Sequence, residues 1–183
     1  MIVTIGGKPG SGKTTVAQTL AERLGFELVC AGEIFRSQAR EVGLDLDEYG
    51  KRALEDDEID RTLDSLVVDR VMSLSSRGMN VVADGRLAGE MLSKAGIQSI
   101  RVWIDANLEV RARRVAGRDG IGVEEASKRI RQREDVERRR YSSIYGIDLD
   151  DLSAYDLVID SSSLTPDEVL ERVADGLKKC AGI

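Results

Sequence analysis

The hydrophobic positions of this chain fall into short apolar runs that alternate with longer amphipathic segments. The runs, which are rich in valine and isoleucine, occupy residues 2–5, 27–30, 80–83, 100–104 and 156–159. Their length is typical of β-strands, whereas the segments between them have the length and the apolar spacing of helices. Apolar strands that alternate with helices predict an α/β fold, in which a parallel five-stranded sheet is covered by helices on both faces.

Two segments break this alternation. Residues 33–77 hold two or three consecutive helical patterns without an apolar run between them, and residues 118–147 interrupt the alternation in the same way. We expect both segments to stand off the sheet as helical insertions. Such insertions either pack passively against the core or move to close over a reactive ligand.

The turn after the first apolar run reads GGKPGSGKTT. Residues 7–14 match the P-loop pattern G-x-x-x-x-G-K-[ST], between a strand and a helix as that pattern requires. Glycines let such a loop turn around an anion, and the start of the helix adds the positive end of its dipole. We therefore predict that the nucleotide phosphates are bound by Gly7, Lys8, Pro9, Gly10, Ser11, Gly12, Lys13, Thr14 and Thr15.

Within this loop two side chains have distinct predicted roles. Lys13 is expected to bring a positive charge to the β- and γ-phosphates of ATP, and the Thr14 hydroxyl is expected to bind Mg²⁺. Asp84 follows the third apolar run at the carboxyl end, where ligands gather, and is predicted to hold a metal-bound water. The alternative is that Asp84 and the nearby Arg86 merely cap and pair at a strand end.

Phosphoryl transfer needs cationic groups from several elements, because negative charge is spread over the transferred group. Arginines are available at Arg36, Arg86, Arg114, Arg118, Arg131, Arg133 and Arg140. Arg114 and Arg118, four apart, lie on one side of a helix, where a like-charged pair is unfavourable unless an anion binds. Arg133, Glu137 and Arg140 also share a helix face, and an ordinary ion pair within the helix is the competing interpretation.

The amino-acid composition excludes several kinds of segment and site. Of 183 residues, 42% are apolar and 33% are charged, and no run approaches the length of about 18 apolar residues that a membrane span needs. The chain has no histidine, which excludes triads and metal clusters that need imidazole. Its two cysteines fit neither a disulfide framework nor a zinc site. Because the N-terminus has no signal-peptide pattern, we expect one cytoplasmic domain.

The charges are sorted unevenly along the chain, whose net charge is −6. Residues 41–69 hold eleven acids and three bases, whereas residues 111–140 hold eleven bases and six acids. Each block is compatible with a solvated helix face. Nucleic-acid binding by the basic block is the weakest alternative, because it lacks interleaved aromatic residues. We expect neither a nucleic acid nor a membrane as a partner.

The assembled motifs resemble those of the nucleoside monophosphate kinases, and within that group those of the archaeal-type cytidylate kinases. In chain order they are GGKPGSGKTT, AGEIFR, DEYGKRALEDDEIDRTLD, VVADGRLAG, EVRARRVAGRDG and REDVERRRYSSIYGIDLDDLSAYDLVIDSS. The resemblance covers nearly the whole chain. The first motif is shared by many NTPases, whereas the combination, order and spacing of the six are specific.

The resemblance implies a P-loop NTPase fold in one kinase domain, residues 1–183. Its CORE would comprise about residues 1–32, 78–117 and 148–183. The insertion that binds the nucleoside monophosphate (NMP) would comprise about residues 33–77, and the LID about residues 118–147.

The resemblance also implies roles for individual arginines. Arg36 and Arg86 would hold the phosphate of the acceptor, and Arg118 would reach from the LID to the transferred phosphoryl group. Arg114 would lie against the base of ATP, with residues 162–166 at the edge of the adenine. The face formed by Arg133, Glu137 and Arg140 would close on the acceptor and the phosphates. Catalysis would therefore depend on Lys13, Arg86 and Arg118.

Two acids of the first insertion, Asp57 and Asp60, lie where it should face the acceptor. A carboxylate accepts a hydrogen bond from the exocyclic amine of cytosine, whereas uracil has a carbonyl at that position. We therefore expect an acid or amide of this insertion, with Asp60 as the candidate, to select the base. A solvated acidic face is the alternative.

The expected reaction is transfer of the γ-phosphoryl group of ATP, with Mg²⁺, to CMP and also to dCMP by a monomeric enzyme. Within enzymes, the alternative is another NMP kinase such as an adenylate kinase. From a different class, the alternative is a nucleotide-dependent switch or regulatory ATPase. Two arginine-bearing insertions argue against a switch, because a switch needs no second phosphate site.

Overall fold

The computed structural model describes residues 1–181, apart from the side chains of residues 46, 47 and 181. Its strands are β1 (Ile2–Gly7), β2 (Glu27–Cys30), β3 (Val81–Asp84), β4 (Ile100–Asp105) and β5 (Leu157–Asp160). Its helices are α1 (Lys13–Leu24), α2 (Ala31–Glu41), α3 (Leu46–Arg52), α4 (Asp57–Ser76), α5 (Ala88–Lys94), α6 (Leu108–Asp119), α7 (Val123–Tyr145) and α8 (Pro166–Ala181). The strands pair in parallel in the order β2-β3-β1-β4-β5, which confirms the predicted sheet.

The sheet is covered on both faces, because successive residues of a strand point to opposite sides. Val3 and Ile5 of β1 are fully buried against α1 and α8 on one face. Val81 and Ala83 of β3 are fully buried against α4 and α5 on the other face. Removal of this apolar surface from water is the main stabilisation of the layers, at about 25 cal/mol per Å².

The order of the strands determines where a ligand can bind. From β1 the chain goes to β2 and β3 on one side of it, and then to β4 and β5 on the other. In such a sheet the crevice for a ligand opens at the carboxyl ends of the strands where the direction changes. There Ile5 of β1 lies in register with Asp84 of β3, next to the loop that follows Gly7.

The two segments that interrupt the alternation consist of helices that are joined by short turns. Helices α2, α3 and α4 share a small core of their own, formed by Ala39, Tyr49, Ala53 and Ile59. Helix α7 is one long helix, whose first half packs on α6 through Ala126 and Ile130. Its second half packs on α5 through Tyr141. Helix α7 therefore bridges α6, beside the loop after β1, and α5, on the opposite side of the sheet from α1.

The predicted start of the second insertion, about residue 118, falls in the last turn of helix α6. Helix α6 continues through Asp119, and Gly120 ends it with a left-handed φ of 67°. Arg118 therefore belongs to the last turn of α6. Among the helices of residues 1–181, none is long and apolar enough to cross a membrane.

Candidate active site

The loop between β1 and α1 has a backbone shape that requires its glycines. Gly10 and Gly12 have φ angles of 79° and 94°, in the left-handed region that favours glycine. Helix α6 lies directly behind the loop, since a Cβ on Gly10 would be 2.9 Å from the carbonyl oxygen of Arg111. Gly12 caps α1 without a side-chain hydrogen bond, so the first N–H groups of the helix have no capping side chain and are available to an anion.

A buried carboxylate faces this loop from the neighbouring strand. Asp84, at the end of β3, is 2% exposed. The Thr14 hydroxyl donates to its Oδ2 at 2.7 Å, and Lys13 Nζ lies 3.3 Å from its Oδ1. The Cys30 thiol donates to the same Oδ2 at 3.4 Å, and burial together with the charge of Asp84 raises the pKa of Cys30. The two residues predicted to bind a metal are thus in direct contact.

The donors at this point are oxygens, the ligands that Mg²⁺ prefers. Within residues 1–181, no three His, Cys, Asp or Glu side chains are grouped so that they could hold a metal by themselves. A cation between Thr14 and Asp84 would therefore complete its shell with phosphate and water oxygens, as Mg²⁺ does in many phosphate-binding sites. The donor set fits Mg²⁺ on these terms.

Two arginines of α6 hold backbone carbonyls of the loop. Arg114 Nη1 donates to the carbonyl of Ser11 at 2.9 Å, and its Nη2 donates to the carbonyl of Ser161 after β5 at 2.8 Å. Arg111, which sequence reasoning missed, donates to the carbonyl of Pro9 at 3.2 Å and pairs with Glu134 of α7 at 2.6 Å. Arg111 lies three residues before Arg114 and seven before Arg118, a spacing that indicates a shared helix face and could have identified it.

Arg118 has a more exposed environment than the other two. Its side chain is 69% exposed, and its Nε lies 2.7 Å from Oδ1 of the adjacent Asp119. The hydrogen bond from Arg118 lowers the pKa of Asp119. An ion pair at this exposure is weak, so Arg118 can exchange Asp119 for another anion at little cost.

Glu137 of α7 is a buried carboxylate that is surrounded by arginines. Its carboxylate is 6% exposed and lies 2.7 Å from Arg86 and 2.7 Å from Arg133. Burial alone would raise its pKa, but the charges of Arg86, Arg133 and Arg140 hold the pKa of Glu137 below its usual range. The Nε of Arg86 is buried without a hydrogen-bond partner among the described residues, so this arginine retains a donor for an anion.

The acidic helix α4 contacts the basic helix α7. Arg140 Nε lies 2.9 Å from Oδ2 of Asp60, and the Tyr145 hydroxyl donates to Oδ2 of Asp64 at 2.6 Å. Asp60 is 1% exposed, and burial raises its pKa to about 6 although the charge of Arg140 opposes this shift. Burial also raises the pKa of Asp64. The basic and acidic blocks of the sequence therefore meet in part, rather than facing solvent throughout.

A cavity of about 560 Å³ opens at this edge of the sheet, a volume that suits a small-molecule ligand. Its lining includes the loop, the start of α1, and the apolar side chains of Leu164, Pro166 and Val169. The predicted site residues that line it are Pro9, Gly10, Ser11, Gly12, Lys13, Thr14, Thr15, Arg86, Arg114, Arg118 and Arg133.

The other predicted residues lie outside the lining of this cavity. Lys8 pairs with Asp105 of β4 at 3.2 Å, a contact that the sequence did not indicate. Arg36 is exposed on α2, near Gly32. Asp60, Glu137 and Arg140 are held in the ion pairs between α4, α7 and Arg86 described above. Glu137 thus contacts two residues of the cavity lining, Arg86 and Arg133, whereas Arg36 lies outside the lining.

Comparison with solved structures identifies the fold. The shikimate kinase of Acinetobacter baumannii, solved in complex with shikimate, superposes with a TM-score of 0.63 at 20% identity. The superposition covers 97% of this chain and 93% of that one. At this identity the likeness concerns the fold alone, which is that of the P-loop kinases.

Sequence comparison identifies the family. The model of the cytidylate kinase-like family matches residues 2–163. The cytidylate kinase of Methanocaldococcus jannaschii is 47% identical over 183 residues, which is 98% of this chain and 100% of that protein. The cytidylate kinase of Pyrococcus furiosus is 47% identical over 169 residues, which is 92% of this chain and 84% of that protein. The resemblance seen in the motifs is confirmed, and the chain belongs to the cytidylate kinase-like family.

Proposed function

We propose that the protein is a cytidylate kinase that transfers the γ-phosphoryl group of ATP to CMP, and also to dCMP, giving ADP and the nucleoside diphosphate. The observation that carries the proposal is that one cavity is lined both by the phosphate-binding loop and by the arginines Arg86, Arg118 and Arg133. A binder of one nucleotide needs the loop alone, whereas a kinase needs cations for a second phosphate group. The names of the cytidylate kinases that are similar over nearly the full chain support CMP as the acceptor.

ATP would bind with its phosphates on the loop and its base against the apolar part of the cavity lining. Lys13 and the N–H groups at the start of α1 would bind the phosphates. Leu164, Pro166 and Val169 offer an apolar surface for the adenine. Arg114, held by Ser161, would lie against the base, and residues 162–166 would lie along its edge.

Mg²⁺ would be held by Thr14 directly and by Asp84 through water. When bound, the metal neutralises charge that develops on the phosphate oxygens during transfer. Asp84 contributes a buried carboxylate whose Oδ1 has no hydrogen bond among the described residues but lies 3.3 Å from Lys13 Nζ, so a metal-bound water would share this oxygen with Lys13.

The acceptor monophosphate would bind between the two insertions. On this proposal residues 33–77 are the NMP-binding insertion, residues 118–147 are the LID, and the remainder of 1–183 is the CORE. Arg36 and Arg86 would hold the acceptor phosphate, while Asp60, Arg133, Glu137 and Arg140 would surround the nucleoside. The unpartnered Nε of Arg86 and its alignment by Glu137 support this role.

The transfer needs no general base, because it depends on positioning and on stabilisation of negative charge. Lys13 and Arg118 would stabilise the migrating phosphoryl group. Closure of the LID would exclude water, so that ATP is not simply hydrolysed. Since one chain supplies both proposed nucleotide sites, we propose that it acts as a monomer.

The test is a panel of acceptors, with ADP release as the readout, run with and without Mg²⁺. CMP and dCMP should support turnover that requires Mg²⁺, at least about tenfold faster than UMP or AMP at equal concentration. Preference for AMP would instead identify another NMP kinase. Slow ATP hydrolysis that no monophosphate changes would indicate a nucleotide-dependent switch, and either result would overturn the proposal.

A further inference from the structure

Arg111 is a buried cation that takes no part in the function proposed so far. It lies on α6, is 5% exposed, and is absent from the residues that line the cavity. Its Nε donates to the carbonyl of Ala106 at 2.8 Å, and its Nη1 donates to the carbonyl of Pro9 at 3.2 Å. The same Nη1 lies 2.6 Å from a carboxylate oxygen of Glu134 on α7. One guanidinium therefore joins α6, the phosphate loop and α7.

The contact with Pro9 affects the shape of the loop. A loop that binds an anion must direct its N–H groups inward and its carbonyls outward, because carbonyl oxygens repel phosphate oxygens. The carbonyls of Pro9 and Ser11 both accept hydrogen bonds from α6, from Arg111 and Arg114 respectively. Between them Gly10 packs on the backbone of Arg111, where a Cβ would be 2.9 Å from a carbonyl oxygen. Arg111 thus supports the loop from behind.

The contact with Glu134 connects this support to α7. A buried guanidinium is costly without a counter-charge, and Glu134, with an 18% exposed side chain, is the carboxylate paired with it. Glu134 precedes the part of α7 that carries Glu137 and Arg140, and it follows Arg133, which lines the cavity. A shift of α7 along α6 would therefore change the position of the charge that holds Arg111.

We propose that Arg111 is a positioning residue for the phosphate loop, and that Glu134 sets how firmly Arg111 holds the loop. The position of α7 then influences the affinity of the loop for the phosphates of ATP. This inference rests on the proposed function, because it takes ATP to be the ligand of the loop. It adds a mechanical link between the proposed LID and the donor site.

The test compares two conservative variants of the intact protein. Arg111→Lys keeps the charge but removes the planar group that reaches several oxygens at once. Glu134→Gln keeps the size of the side chain and removes its charge. Dissociation constants are measured by calorimetry for ATP, and for inorganic tripolyphosphate, which lacks the base. We expect the dissociation constants of both ligands to rise about tenfold in Arg111→Lys. In Glu134→Gln we expect a smaller rise that still exceeds about twofold.

The exposed ion pair of the same helix supplies matched controls. Glu109 and Arg113 are 69% and 65% exposed, and neither lines the cavity that the loop borders. Glu109→Gln and Arg113→Lys should bind ATP and tripolyphosphate like the wild type. In the double variant Arg111→Lys/Glu134→Gln, the loss should be smaller than the product of the two single losses, because the two residues act as a unit.

A purely structural role would give a different result. Loss of stability alone lowers the fraction of active protein and hence kcat, whereas the dissociation constants of the folded molecules stay unchanged. In Glu134→Gln we expect instead a raised KM for ATP with kcat retained. Should Arg111→Lys fail to fold, Glu134→Gln decides by itself.

Dissociation constants of Glu134→Gln within twofold of the wild type would overturn the inference. The proposed function fails separately, if the wild-type chain binds ATP but phosphorylates no monophosphate. In that case the tripolyphosphate affinities still decide whether Arg111 positions the loop.

Discussion

Arg140 of α7 lies 2.9 Å from Asp60 of α4, and this pair joins the two segments that interrupt the β–α alternation. A second contact between the same helices runs from the Tyr145 hydroxyl to Asp64. The two insertions are therefore in contact with each other as well as with the core. Opening of the acceptor site would require these polar contacts to break or rearrange.

The first prediction concerns the charge of Asp60. Its pKa is raised from 3.8 to about 6 in the folded chain, so the folded state binds a proton more tightly than the unfolded state. Protonation of Asp60 therefore adds stability as the pH falls, and ionisation removes it as the pH rises through 6. Between pH 7 and pH 4, the free energy of unfolding of the wild type should rise by about 2 kcal/mol relative to that of Asp60→Asn.

The measurement is the free energy of unfolding from urea titrations at several pH values. The nearby groups Asp57, Asp64, Glu137 and Arg140 remain in both proteins, so their own titrations largely cancel in the difference. Asp69→Asn, an exposed position of the same helix, serves as the control and should follow the wild type. If the free energies of unfolding of the wild type and Asp60→Asn changed with pH in parallel, the raised pKa of Asp60 would be contradicted.

The second prediction concerns Arg118. Because its ion pair with Asp119 is exposed, its removal should leave the fold and the affinity for ATP largely intact. Its charge should matter in the transition state, so Arg118→Ala should lower kcat by about 10³-fold. Steady-state kinetics with CMP, together with calorimetric ATP binding, give both quantities.

Arg113→Ala is the control for Arg118, since Arg113 is an exposed arginine of the same helix with an ion pair to Glu109. It should retain turnover close to that of the wild type. Near-normal kcat in Arg118→Ala would remove this residue from the mechanism.

The third prediction concerns the metal. Asp84 is buried and contacts both Thr14 and Lys13, so Asp84→Asn removes the charge that would hold a metal-bound water. The Mg²⁺ concentration for half-maximal activity should rise about tenfold or more at fixed ATP. Asp160→Asn, at the end of β5 at the edge of the sheet, is the control and should leave the Mg²⁺ requirement unchanged. An unaltered Mg²⁺ titration in Asp84→Asn would argue against its role.

The fold was predictable because its signals are local. Short apolar runs, glycines at the turn after β1 and the long polar segments each determine structure within a few residues. The parallel sheet follows from the alternation of these elements, and the contact of Thr14 with Asp84 follows from adjacent strand ends. These features needed no knowledge of distant contacts.

The pairing of the charges was not predictable in the same way. Helical spacing placed Arg133 and Glu137 on one face, and they do pair, but it did not indicate that Arg86 approaches the same carboxylate from β3. The partners of Arg111 come from the loop and from α7, which no local pattern connects. Such pairs depend on how the elements pack, and the chain has many alternative acids and bases of similar spacing.

On the proposed function, two nucleotides meet end to end in one cavity of this chain. The most direct measurement is calorimetric binding of a bisubstrate analogue, in which adenosine and cytidine are joined by five phosphates. We expect one analogue to bind per chain, to compete with both ATP and CMP, and to bind at least about 100-fold more tightly than CMP alone. An analogue that competes with ATP but not with CMP, and binds no more tightly than ATP, would contradict this proposal.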